Sequence, residues 1–139
     1  MEMEPMSLAF AADDLEAVDA ALATLEARLG ALVSLRPELQ RGWARMGAKS
    51  EAFCRQTFEA MAAQPERVSS DFDLARAQAD LAAADALHPR LLRLRRLTER
   101  AEDSEMVLGC DVMVAALQGH ALLQGVECCE KEAVQRECA

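Results

Sequence analysis

Asp85 and His88 stand three residues apart, a spacing that sets a carboxylate and an imidazole on one helical face. Carboxylate-bridged metal bundles use that spacing, together with further inward carboxylates from facing helices. The first apolar seam of this sequence supplies none, because Glu16, Asp19 and Glu26 lie off it. The pair therefore reads first as polar residues beside Pro89, and second as part of a metal- or small-ligand-binding bundle to which His120 could contribute. His120 falls on the margin of an apolar helix face, where a hydrogen-bonded structural histidine is the commoner role. Cys54 and Cys110 sit in apolar helical stretches and read as small core residues, with no histidine at a position that specifies a nucleophilic pair. Cys128, Cys129 and Cys138 lie in the polar stretch ECCEKEAVQRECA, with no C-x-x-C pair and no nearby histidine to make a recognisable metal site. No catalytic residue, cofactor or metal follows from these residues.

The elements that would position such groups are helical. Leu15, Val18, Leu22, Leu25, Leu29 and Leu32 alternate at spacings of three and four, which draws one continuous stripe on a helix. Other helices are expected to cover it. The first helix is expected from Asp13 or Asp14, acting as caps, to about Val33, with Gly30 weakening its last turn. Pro37 suits the first position of a short helix reaching roughly Trp43. A second long helix is expected from about Lys49 to Ala63, with Phe53, Thr57, Ala60 and Met61 on one side, and Gln64-Pro65 ends it. A third is expected from Asp71 or Asp73 to about Ala101, its seam of Leu74, Ala77, Leu81 and Ala84 changing phase before Leu87, Leu91 and Leu94. Pro89 predicts a kink at that place. A turn at Glu102, Asp103 and Ser104 is expected to lead into a fourth helix ending near Gly125.

That fourth segment differs from the others. From Met106 to Val126 the only formal charge is Asp111, and apolar residues occur all round the helix. Met106, Val107, Cys110, Met113, Val114, Leu117 and Ala121 form one stripe; Leu108, Val112, Ala115, Gly119 and Leu122 form another. The second stripe is the expected self-association face, because Ala115 and Gly119 are small enough for close approach by a second copy. A membrane span is not expected: a central aspartate costs roughly 2.5 to 3.5 kcal/mol on insertion, and Gln118, His120 and Gln124 add polarity.

The 139 residues fit one domain: a flexible start over residues 1–12, a bundle over 13–125 and a polar, cysteine-containing tail over 126–139. A net charge of -9 argues against nonspecific nucleic-acid binding. The cluster Arg90, Arg93, Arg95, Arg96 and Arg100 includes Arg93, Arg96 and Arg100 opposite Leu87, Leu91 and Leu94, the pattern of a solvated helix face. The acidic start MEMEP is followed by no apolar stretch of signal-peptide length, so a cytoplasmic protein is expected.

Met46-Gly47-Ala48-Lys49-Ser50-Glu51-Ala52-Phe53, the Gln-Pro stop after it, and Glu102-Asp103-Ser104-Glu105-Met106-Val107-Leu108-Gly109 resemble an uncharacterised family of small bacterial helical-bundle proteins. The resemblance spans roughly Asp13 to Gln124 and implies a fold but no activity. On physical grounds Gly47 permits a tight entry into the second helix, Ser50 supports its amides and Phe53 anchors the core. Lys49 is expected to be solvated or to pair with a carboxylate such as Asp111. Together these readings predict an all-α, up-and-down four-helix bundle with a kinked third helix, acting as a homodimeric interaction or assembly module without enzymatic activity. Truncation of Leu22 or Leu25 to alanine within a closed core is expected to cost roughly 2 to 5 kcal/mol each by thermal or denaturant unfolding.

Overall fold

The computed structural model of the chain describes the backbone of residues 8–137 and the side chains of residues 8–125. It contains four α-helices, α1 (Ala12–Arg28), α2 (Pro37–Gln40), α3 (Ala48–Ala63) and α4 (Leu74–Glu137), with a 3-10 turn at Pro65–Arg67 and no strand among the described residues. Two units are distinguished, one spanning residues 10–91 and the other taking in the chain beyond Leu91.

Local chemistry accounts for most of the boundaries. Ala11, not an aspartate, precedes α1 without a side-chain cap; Asp13 and Asp14 lie inside its first turn, where they favour the positive end of the helix dipole. The helix stops at Arg28, short of the expected Val33, and the Leu29 amide closes it on the Leu25 carbonyl at 2.9 Å. Pro37 occupies the first turn of α2, where its missing N–H costs nothing. That helix ends at Gln40, before Trp43, and Gly42 beyond it adopts φ 86, the left-handed region that glycine enters freely. At the start of α3 the Gly47 amide donates to Ser50 Oγ at 2.8 Å, as the role assigned to Ser50 requires. Gly47 itself is extended and faces open space, so the entry into α3 does not depend on glycine there. Asp73 begins α4: its carboxylate accepts from the Arg76 amide at 3.0 Å and its carbonyl from the Ala77 amide.

The main departure from the sequence expectation is the length of α4. The turn expected at Glu102–Ser104 is absent, and the third and fourth expected helices are one. Ser104 does not cap a new helix; its Oγ donates back to the Arg100 carbonyl at 2.7 Å, inside the continuous ladder. With neither glycine nor proline between Pro89 and Gly109, nothing in the local sequence forces a break there. Pro89 also lies within the helix, leaving the Asp85 carbonyl without its usual amide partner. The backbone helix continues to Glu137, through most of the segment expected as a separate tail. The side chains of Cys128, Cys129 and Cys138, and residues 1–7 of the expected flexible start, lie outside the described residues.

Packing is only partial. Among the described residues no side chain is fully buried. Cys54, Phe58 and Met61 on α3 are half-buried, as are Leu74, Ala77, Leu81, Leu87, Leu91 and Leu94 on α4, which is the third-helix seam expected from spacing except for Ala84, which is exposed. Arg93, Arg96 and Arg100 are exposed, as the solvated-face pattern requires. Three expectations of burial fail. The α1 stripe is open, with Leu22 at 49% and Leu25 at 41% exposure, and Phe53 is 67% exposed and anchors no core. Cys110 is likewise exposed, whereas Cys54 is half-buried. A continuous ladder through residue 104 predicts that Ser104→Pro costs about 3 kcal/mol and lowers the 222 nm ellipticity. At a flexible turn the same substitution would leave the ellipticity unchanged.

Candidate functional site

Arg55 carries the side-chain link between α3 and α4. One turn earlier on its own helix, Glu51 Oε1 accepts from Arg55 Nε at 3.1 Å and Nη2 at 2.7 Å. Across to α4, Arg55 Nη1 donates to Asp85 Oδ2 at 2.9 Å while Nη2 donates to Asp85 Oδ1. A planar guanidinium can hold two carboxylates in this way because its donors form a rigid fork. Hydrogen bonding to Asp85, then to Glu51, raises the Arg55 pKa, and the bond from Arg55 holds the Asp85 carboxyl below its ordinary value. All three side chains keep substantial solvent exposure, so their attraction is screened.

Beside this cluster lies a groove of about 510 Å³ lined by Gly47, Ala48 and Glu51 at the start of α3 and by Asp85, His88 and Pro89 on α4. Asp85 and His88, singled out from their spacing, do share this surface; His120 is not among its lining residues. Both Asp85 oxygens already accept from Arg55, and among the described residues no group of three or more His, Cys, Asp or Glu side chains is gathered to hold a metal ion. Arg55 carried no sequence signal for its reach to Asp85. Its spacing from Glu51 was readable; a partner thirty residues away was not.

The proposed self-association face is the other candidate. On the part of α4 beyond Leu91, Leu94, Leu108, Ala115 and Leu122 fall at multiples of seven residues, and Val112 and Gly119 are seven apart beside them. Val112 is 68% and Leu122 is 72% exposed, Ala115 is exposed, and Leu108 and Gly119 are half-buried. A Cβ added at Gly119 would meet open space. The companion stripe is no better covered, since Met106, Met113, Val114 and Leu117 are exposed. By length and composition α4 contains a window apolar enough to cross a membrane, with mean hydropathy 1.6 and none of it buried. Lys49 is exposed on α3.

The ion cluster makes a pH-dependent contribution of defined sign. Because the Asp85 pKa is lowered in the folded chain, its stabilising effect is present above the ordinary carboxylate range and is lost as pH falls through the depressed value. Carbon-13 NMR of the Asp85 carboxyl should show a midpoint below the ordinary carboxylate range. Arg55→Gln should return that midpoint to the ordinary range. An unchanged midpoint in the variant would remove the fork as its cause. No protein-family model, curated protein or solved structure matches this chain.

Proposed function

We propose that the chain is a non-enzymatic interaction or assembly module that completes its apolar core with another copy of itself. The observation that carries this reading is the open stripe of α4, where Leu108, Val112, Ala115, Gly119 and Leu122 lie on an uninterrupted helix. Water disfavours contiguous apolar surface of this kind, and a second identical stripe is a chemically matched cover. The open α1 seam adds a further apolar face for the same assembly. In this reading an up-and-down four-helix bundle forms between copies, and α4 bends at Pro89, where a backbone donor is missing. The resemblance to uncharacterised bacterial helical-bundle proteins is compatible with such a role. So is a cytoplasmic location: Asp111, Gln118, His120 and Gln124 oppose insertion of the apolar stretch into lipid.

The groove beside Asp85 and His88 favours a second reading, a bundle that binds a small ligand or metal there. Elemental analysis of protein purified without added metal separates the two. Stoichiometric iron, zinc or copper lost on His88→Ala would favour the ligand-binding role.

The assembly reading predicts that wild-type protein sediments as a dimer at micromolar concentration. Val112→Glu should give a helical monomer, because an uncompensated charge at an apolar interface is strongly disfavoured. Monomeric wild-type protein, or a variant that loses its helical structure outright, would overturn the assignment of this stripe.

A further inference from the structure

We infer that the open stripe of α1 in one copy is covered by the arginine-bearing stretch of α4, residues 93–101, in another copy. The inference rests on the self-association reading and adds the partner of α1, which the apolar stripe around Val112 leaves open.

Charge decides which surfaces can meet. α1 carries five acidic residues against one arginine, a net of -4, and residues 93–100 carry four arginines against one glutamate, a net of +3. All of these charged side chains are exposed. Along α1 the stripe of Leu15, Val18, Leu22 and Leu25 is bordered on one edge by Asp19 and Glu26, seven residues apart, and on the other by Asp14. Laid against a second α1, this stripe brings acid to acid: Asp14 to Asp19 in a parallel pair, Asp19 to Glu26 in an antiparallel one. Like charges set opposite one another disfavour both arrangements. The stripe calls for a helix whose border is basic.

Arg93 and Arg100, also seven residues apart, supply that border. Leu97 follows Arg93 by four positions and precedes Arg100 by three, so the three share one face of α4, with Leu94 and Ala101 next to Leu97. Leu97 lies off the half-buried line that ends at Leu94, on the side where these two arginines stand. At 62% exposure it keeps apolar surface open between them. With the helices parallel and Leu94 of one copy level with Leu15 of the other, Leu97 meets Val18 and Ala101 meets Leu22. The same register pairs Arg93 with Asp19 and Arg100 with Glu26, both at once because the two spacings are equal. Arg28, the one basic residue of α1, lies beyond these contacts.

A charge exchange tests the pairing. Asp19→Arg/Glu26→Arg protein and Arg93→Glu/Arg100→Glu protein are sedimented separately at 50 mM salt and then as a mixture, with helix content followed at 222 nm. Each alone should associate about tenfold or more weakly than wild-type protein, and the mixture should recover the wild-type affinity, since contacts between the two variants again join acid to base. Variants that each dimerise like wild-type protein, or a mixture no tighter than its components, overturn the pairing while leaving self-association through the Val112 stripe intact. Where charge reversal lowers the ellipticity, Asp19→Asn/Glu26→Gln protein takes the place of the reversed variant. Association several-fold weaker than wild type at 50 mM salt, converging with it at 500 mM, supports the pairing, because only the wild-type contacts are screened. Equal association at 50 mM overturns it. Wild-type protein that is monomeric at micromolar concentration overturns the self-association reading as well.

Discussion

A helix that does not end cannot fold back upon itself. The hydrogen-bond ladder of α4 passes Glu102, Asp103 and Ser104 without interruption, and the residues beyond are denied the chain reversal that an intramolecular bundle requires. Everything notable about the apolar stretch that follows comes from this. Its two apolar stripes share one continuous helix, and most of their described side chains are exposed.

Near the other end of the same helix, an electrostatic link takes the place that apolar packing usually fills. The fork of Arg55 ties Glu51 and Asp85 together at the groove beside Pro89, which has no backbone N–H to donate. Screening by solvent keeps the contribution of such a link to stability modest. The half-buried Cys54, Phe58 and Met61 follow at helical spacing on the α3 side.

Interactions within one turn were legible in the sequence. Pro37 at a helix start, Ser50 supporting the Gly47 amide and Asp73 opening α4 each depend on neighbours three or four positions away. Periodicity also identified the half-buried line of Leu74, Ala77 and Leu81 and its resumption at Leu87, together with the solvated arginines opposite. Spacing shows which residues share a face but not what lies against it, so Leu22, Leu25 and Phe53 were assigned to a core that does not cover them. Ser104 was ambiguous for a different reason: its hydroxyl can cap a new helix or bond back into an existing one, and both suit the same local sequence. The site was legible only in part, since the proximity of Asp85 and His88 follows from helical geometry while the approach of Arg55 depends on tertiary placement.

The absence of any fully buried side chain among the described residues bears on how abundance and stability are linked. Helices made of local hydrogen bonds form within about a microsecond, so their formation does not wait on distant parts of the chain. Under the proposed assembly, the slow and decisive event is the encounter of two copies, and its equilibrium follows mass action. The melting temperature then rises with protein concentration, and newly made chains at low copy number carry uncovered leucines until a partner arrives. Cellular dosage thereby becomes a determinant of the folded population, and a modest fall in expression exposes the chain to proteolysis without any change in its sequence.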